Sequence, residues 1–311
     1  MKEVFLGEKI KKYEKPKGLD VRVRSFYFRH AEKANAAIVN TGGTGMSRAA
    51  ISEKGREESV GLGKELPEPV EHGYKIAWSK NPRTLETIEA MAEGYLKGEE
   101  RRKFTTRKRT ALSEDYIPKP LYGPYVAKWE VNKKKMMEER GIKPEDFKNL
   151  SPTEQAEIAE KSEEPVVTEW IDNPESELAK IYPPETAAAH SAVLVRRDAN
   201  TPERLKSSSA IDFFRGTHKT VTEPLLMRIL LDEKGKTPEK LSDIGGALGL
   251  NDGWELDSFT DENGEKKLKI IMYRADKTGE KPVYHKKEFG VDSDELNRLA
   301  DLGVKLEKEK K

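Results

Sequence analysis

The sequence predicts an α/β fold: a three-layer α/β/α sandwich with a mostly parallel sheet and a helical insertion. Two observations carry this. Short apolar runs rich in β-branched and aromatic residues end abruptly at polar residues, and each is followed by apolar residues at helical spacing; the same strand-then-helix unit returns late in the chain, after a long polar stretch.

The elements follow in order. Residues 1–20 are charged, with a Lys-Pro-Lys-Gly break, and read as an extension outside the core. Residues 21–28 (VRVRSFYF) form a strand that stops at Arg29-His30, and the Asn-Thr-Gly-Gly-Thr-Gly run at 40–45 reads as a loop. Ser52 caps a helix running to about Leu66, 74–78 (YKIAW) is a buried strand, and Leu85, Ile88, Met91 and Tyr95 mark one face of the next helix. Residues 209–214 (SAIDFF) run into Gly216-Thr217-His218, followed by a helix with Val221, Leu225 and Ile229 on one face and Pro224 in its first turn. GWELDSFT and KKLKIIMY flank Asp261-Glu262-Asn263-Gly264 as a hairpin, and Asp292 with Glu295 starts a last helix. Residues 115–200 are Lys-, Glu- and Pro-rich with helical stretches near 126–140, 152–162 and 185–197, and read as an insertion covering one end of the sheet. The organisation expected is a catalytic domain over 21–290, with a C-terminal helix and charged tail over 291–311.

Composition narrows the chemistry. The chain is 35% hydrophobic and 36% charged, so much of its charge lies on exposed helix faces. Lys and Arg (57) nearly cancel Asp and Glu (56), which leaves no global field for nucleic acid or an anionic membrane, and neither is expected as a partner. With no cysteine, disulfides, thiolate nucleophiles and thiolate metal sites are excluded. No apolar run suggests a secretion signal or a membrane span, so a cytoplasmic location is expected. Oligomeric state leaves no mark in the sequence.

Open α/β sheets bind ligands at the carboxyl ends of their strands. There the chain places Arg29, His30 and Glu32 after the first strand, Arg83 after the second, and His218 after the third. Two histidines and two arginines on one edge suit a phosphoryl group, because a guanidinium offers a planar fork of donors to its oxygens.

These segments resemble the histidine phosphatase superfamily, the phosphoglycerate-mutase-like fold. Arg29-His30-Ala31-Glu32 is similar to its first motif, with Ala31 where the family usually has Gly, and Ile51-Ser52-Glu53-Lys54-Gly55 to its helix start. Ser79-Lys80-Asn81-Pro82-Arg83-Thr84-Leu85-Glu86-Thr87, Leu112-Ser113-Glu114 and Gly216-Thr217-His218 resemble its later motifs, in the family's order. The resemblance implies a phosphohydrolase in which His30 takes the phosphoryl group, Arg29, Arg83 and a protonated His218 neutralise its oxygens without a metal or other cofactor, and Glu114 protonates the leaving oxygen, with Asp115 as the fallback. Glu32, Ser52, Thr217, Lys219 and Arg109 are assigned to substrate binding. The substrate expected is a phosphorylated small molecule or a phosphoprotein. A phosphomutase and an inactive phosphate-binding protein are the alternatives; the mutases' Leu-Asn-Glu-Arg-His-Tyr-Gly stretch is replaced by 112–118, which argues against the first.

Other features have plainer readings. His72, His190 and His285 have no partner motif. Gly42-Gly43-Thr44-Gly45 lacks the ending of a P-loop and reads as a rim loop. Arg101-Arg102-Lys103 and Arg107-Lys108-Arg109 form the strongest basic cluster; if it acts, it grips a second anionic group on the substrate. Lys133-Lys134-Lys135 with Glu138 and Glu139 reads as an exposed helix face.

Overall fold

Residues 17–34, 50–112, 119–279 and 282–309 are described by the structure, a computed structural model. In chain order the strands are β1 (Val21–Arg29), β2 (Tyr74–Trp78), β3 (Lys103–Lys108), β4 (Ala210–Thr217), β5 (Leu230–Leu231), β6 (Gly253–Thr260), β7 (Lys266–Asp276) and β8 (Val283–Val291). The helices are α1 (Glu53–Glu65), α2 (Pro82–Leu96), α3 (Lys119–Glu139), α4 (Pro152–Asp172), α5 (Glu177–Ile181), α6 (Pro184–Ala199), α7 (Glu223–Ile229) and α8 (Ser293–Glu309).

The strands form one sheet in the order β3-β2-β4-β1-β6-β7-β8-β5. Its pairings are parallel from β3 through β1 and antiparallel from β1 outward. The α/β sandwich is as expected, with β3, β2, β4 and β1 parallel and the antiparallel strands β6, β7, β8 and β5 added beyond β1. The hairpin turn at Asp261–Gly264 explains why, since a tight turn returns the chain antiparallel, whereas each parallel crossover needs a helix.

β1 is central and buried on both faces. Phe26 and Phe28 pack with Phe214, Ile76, Ile88 and Met91 under α1 and α2. On the opposite face Tyr27 stacks on Trp254, ring centroids 4.1 Å apart, in the core that α6, α7 and α8 close. So α6 belongs to the layer covering the sheet, while α3, α4 and α5 form the excursion. Its alanine-rich face explains this, since small residues let the helix lie close to the strands.

Two smaller departures have local causes. The helix after His218 is short: Val221 precedes it, because Thr220 adopts a left-handed φ of 72° and the helix begins only at Glu223. Lys133, expected on an exposed face, is buried with its ammonium 4.3 Å from the centroid of Phe147, a cation–π contact; Lys134 and Lys135 do pair with Glu138 and Glu139. Among the described residues no helix is long and apolar enough to cross a membrane.

Candidate active site

The parallel half sets the site. β1 and β4 end together, with Arg29 opposite Thr217, and the His30 N–H donates to the Thr217 carbonyl at 3.1 Å. The two histidines thus leave adjacent strand ends, their ring centroids 5.2 Å apart at 64°. Arg83 enters from the first turn of α2, which Pro82 starts. That turn lies against β4 so closely that a Cβ on Gly216 would fall 2.5 Å from the Thr84 carbonyl oxygen; only glycine fits beside His218.

His30 is buried, and its Nδ1 lies 2.8 Å from the Ala31 carbonyl oxygen. A carbonyl only accepts, so Nδ1 carries the proton and Nε2 keeps its lone pair. Burial, then the positive field of Arg83 and the further contributions of His218, Lys33 and Arg29, push the ring well below the usual histidine value of 6.5. Below pH 6.5 the unfolded chain therefore binds a proton at this residue that the folded chain does not. Its contribution to stability falls as pH drops through that window, while the folded ring stays unprotonated. The pH profile of kcat/KM for an aryl phosphate should accordingly show no loss of activity centred near pH 6.5; an acid limb there, moved by substitutions around His30, would mean that the ring titrates normally.

His218 is held from both sides. Ser79 Oγ lies 2.7 Å from its Nε2, with Asn81 Nδ2 at 3.2 Å, and Arg83 Nη2 lies 3.3 Å from its Nδ1. Arg83 and the Asn81 amide face the ring as donors, one at each nitrogen, and Ser79 Oγ can donate or accept at Nε2.

Arg29 is committed to the insertion. Its two terminal nitrogens grip Glu160 of α4, Nη1 also donates to the Leu248 carbonyl at 2.8 Å, and Nε is buried with no acceptor. Lys219, assigned to substrate binding, is buried with its ammonium 3.1 Å from both Glu160 and Glu163. Burial opposes ionisation of all three groups, but the opposite charges outweigh it, raising Arg29 and Lys219 and lowering Glu160. Glu160→Gln should cost about 2–4 kcal/mol of stability, since it leaves two buried cations short of one counter-charge. Denaturant unfolding checks this, and an unchanged midpoint would show the network to be energetically idle.

The remaining expected residues are placed as follows. Glu32 and Ser52 bind each other: Ser52 Oγ donates to Glu32 Oε1 at 2.9 Å and caps α1 by accepting from the Gly55 N–H. A Cβ on Gly55 would meet the Glu32 carbonyl oxygen at 2.8 Å, so this motif braces the loop after His30. Thr217 turns its hydroxyl to the Leu112 carbonyl at 3.3 Å. The main charged neighbours of Arg109 are Arg197, Arg215, Arg107 and Asp198, none of them a pocket residue. Glu114, Asp115 and Gly42–Gly45 lie outside the described residues. His72 accepts from the Ala210 N–H in an exposed turn, His190 is buried in α6, and His285 lies on β8 near Asp276.

Four contributors were not expected. Ser79 opens a quoted motif, yet its grip on His218 has no local mark, and Asn81 shares that position. Glu160 and Glu163 sit among many glutamates of α4, with no sequence signal separating them.

The chain is similar, at low identity, to several solved structures. These include phytase from Klebsiella sp. ASR1 (12% identity, 91% of this chain and 95% of that one covered, TM-score 0.45) and phytase from Hafnia alvei (13%, 93% and 97%, 0.45). Phosphoglycerate mutase from Bacillus anthracis is a third (14%, 82% and 92%, 0.37). No protein-family model matches the chain, and no curated protein does.

Proposed function

We propose that this protein is a phosphoric monoester hydrolase working through a phosphohistidine on His30. The observation that carries this is the state of that ring: buried, neutral, with Nδ1 tied to Ala31 and Nε2 left as the nucleophilic atom beside Arg83 and His218.

In the proposed reaction Nε2 attacks phosphorus in line, an N–P bond forms, and the ester P–O bond breaks. The leaving oxygen takes a proton from Glu114, or from Asp115 beside it; Leu112, just before them, is held to β4 by Thr217. Water then attacks the phosphohistidine, returns a proton to that carboxylate, and inorganic phosphate departs. As the phosphoryl group arrives, Arg83 turns to its oxygens, and a protonated His218 adds a second positive charge. The unpartnered Nε–H of Arg29 is a further donor, held in place by Glu160.

The proposed site draws its positive charge from side chains, so turnover should not depend on an added metal. A panel of phosphorylated metabolites and a phosphopeptide, read by release of inorganic phosphate with and without a chelator, tests this. Release that survives the chelator is expected. No release from any substrate would refute the hydrolase, and loss restored by Mg²⁺ or Zn²⁺ would refute the metal-free mechanism.

A further inference from the structure

A second concentration of positive charge lies on the other side of the parallel half of the sheet. Ala77 of β2 sits between Arg107 of β3 and Arg215 of β4, and Lys75, two residues earlier, shares its face. Arg109 follows β3, its N–H bonded to the Trp78 carbonyl at 2.7 Å, and Arg197 reaches in from the last turn of α6. Among the described residues β3 packs chiefly on β2, and Arg107 on it is exposed.

Among the described residues one carboxylate, Asp198, pairs with this cluster. Asp198 accepts both Arg215 nitrogens at 2.9 Å and the Tyr27 hydroxyl at 2.7 Å, and lies 3.6 Å from Arg197. Lys75, Arg107 and Arg109 have no carboxylate partner among the described residues, and the Arg109 Nε–H is shut from solvent with no acceptor. Burial, and then repulsion from the rest of the cluster, lowers both Lys75 and Arg109. In a chain whose charges otherwise nearly cancel, this is a local excess that an anion would relieve.

We infer that the Lys75, Arg107, Arg109, Arg197 and Arg215 cluster is a second anion site, separate from the histidine pocket, that takes a compact polyvalent phosphate of the diphosphate or oligophosphate class. The dimensions favour a compact ligand. β3 and β4 are two strand spacings apart, roughly 10 Å, which suits linked phosphates rather than a length of nucleic acid. A single strand of nucleic acid would also want aromatic platforms, and the exposed large apolar side chains among the described residues, Tyr122, Val131 and Val283, all lie on other elements. The guanidinium forks of Arg107 and Arg109, on and just after β3, match phosphate oxygens.

The test uses methylenediphosphonate, whose P–C–P link resists hydrolysis, so it does not depend on the hydrolase proposal. Calorimetric titration at physiological ionic strength compares the full chain, Lys75→Gln/Arg107→Gln, and the pocket variant Arg83→Glu, each with circular dichroism to establish folding. The double variant should bind at this site at least about tenfold more weakly while kcat/KM for an aryl phosphate is unchanged, and Arg83→Glu should keep the site. If the double variant is misfolded, Arg107→Gln alone, at an exposed position, should still weaken binding severalfold. No binding to the full chain, binding unaltered by the cluster substitutions, or loss of all binding in Arg83→Glu would overturn the inference. So would a single-stranded oligonucleotide that binds more tightly through the same residues.

Discussion

His30→Ala is expected to abolish turnover, lowering kcat for an aryl phosphate by at least about ten-thousandfold while the chain stays folded. The size follows from the role. Without the imidazole no nitrogen is left to form the covalent intermediate, and the cations alone can only assist direct attack by water. Folding should persist because the hydrogen bond of the His30 ring to the neighbouring Ala31 carbonyl is local, whereas its backbone N–H bond to Thr217 survives substitution. Steady-state kinetics with circular dichroism checks both parts, and near-normal turnover would place the chemistry elsewhere.

Arg83→Ala is expected to lower kcat by about 10²–10³-fold, the usual effect of removing one donor aimed at developing charge. In this site it does more than remove a grip on phosphate. Arg83 is a main source of the field that disfavours protonation of His30, and its Nη2 lies 3.3 Å from His218 Nδ1. The variant should therefore raise the acid limb of the kcat/KM profile toward pH 6.5, because His30 regains a proton more easily. Arg83→Lys should restore that limb more fully than it restores kcat, since a point charge supplies field but not the planar fork. A variant with normal kcat and an unmoved limb would show that Arg83 faces away from the reacting group.

The strand–helix units were legible because each is local. Residues 21–28 and 74–78 are apolar over their own length, and Ser52 and Pro82 mark helix starts within a few residues. His30, Arg83 and His218 were legible for the same reason, as each follows a strand in a short motif. What escaped notice is long-range or disguised. Glu160 meets Arg29 across 131 residues of sequence, and nothing near it distinguishes one glutamate of α4 from the next. β3 was hidden by its own composition: Lys103, Arg107 and Lys108 suit a charged edge strand, whose cations also discourage pairing with another chain, but the same letters read as a solvated run. The double commitment of Arg29 and Lys219 to the insertion changes the account most. The sequence suggested cations free to hold substrate, whereas Lys219 is neutralised in place and Arg29 keeps only part of its donor set for phosphate.

The central claim is a covalent bond from His30 to phosphorus, and trapping that bond tests it most directly. Phosphohistidine survives alkali and is hydrolysed by acid, so turnover of a radiolabelled phosphomonoester, quenched rapidly into base, should leave label on the wild-type chain. That label should be released by acid, map to His30, and be missing from His30→Ala. Label that persists in His30→Ala, or that resides on a serine or an aspartate, would contradict it.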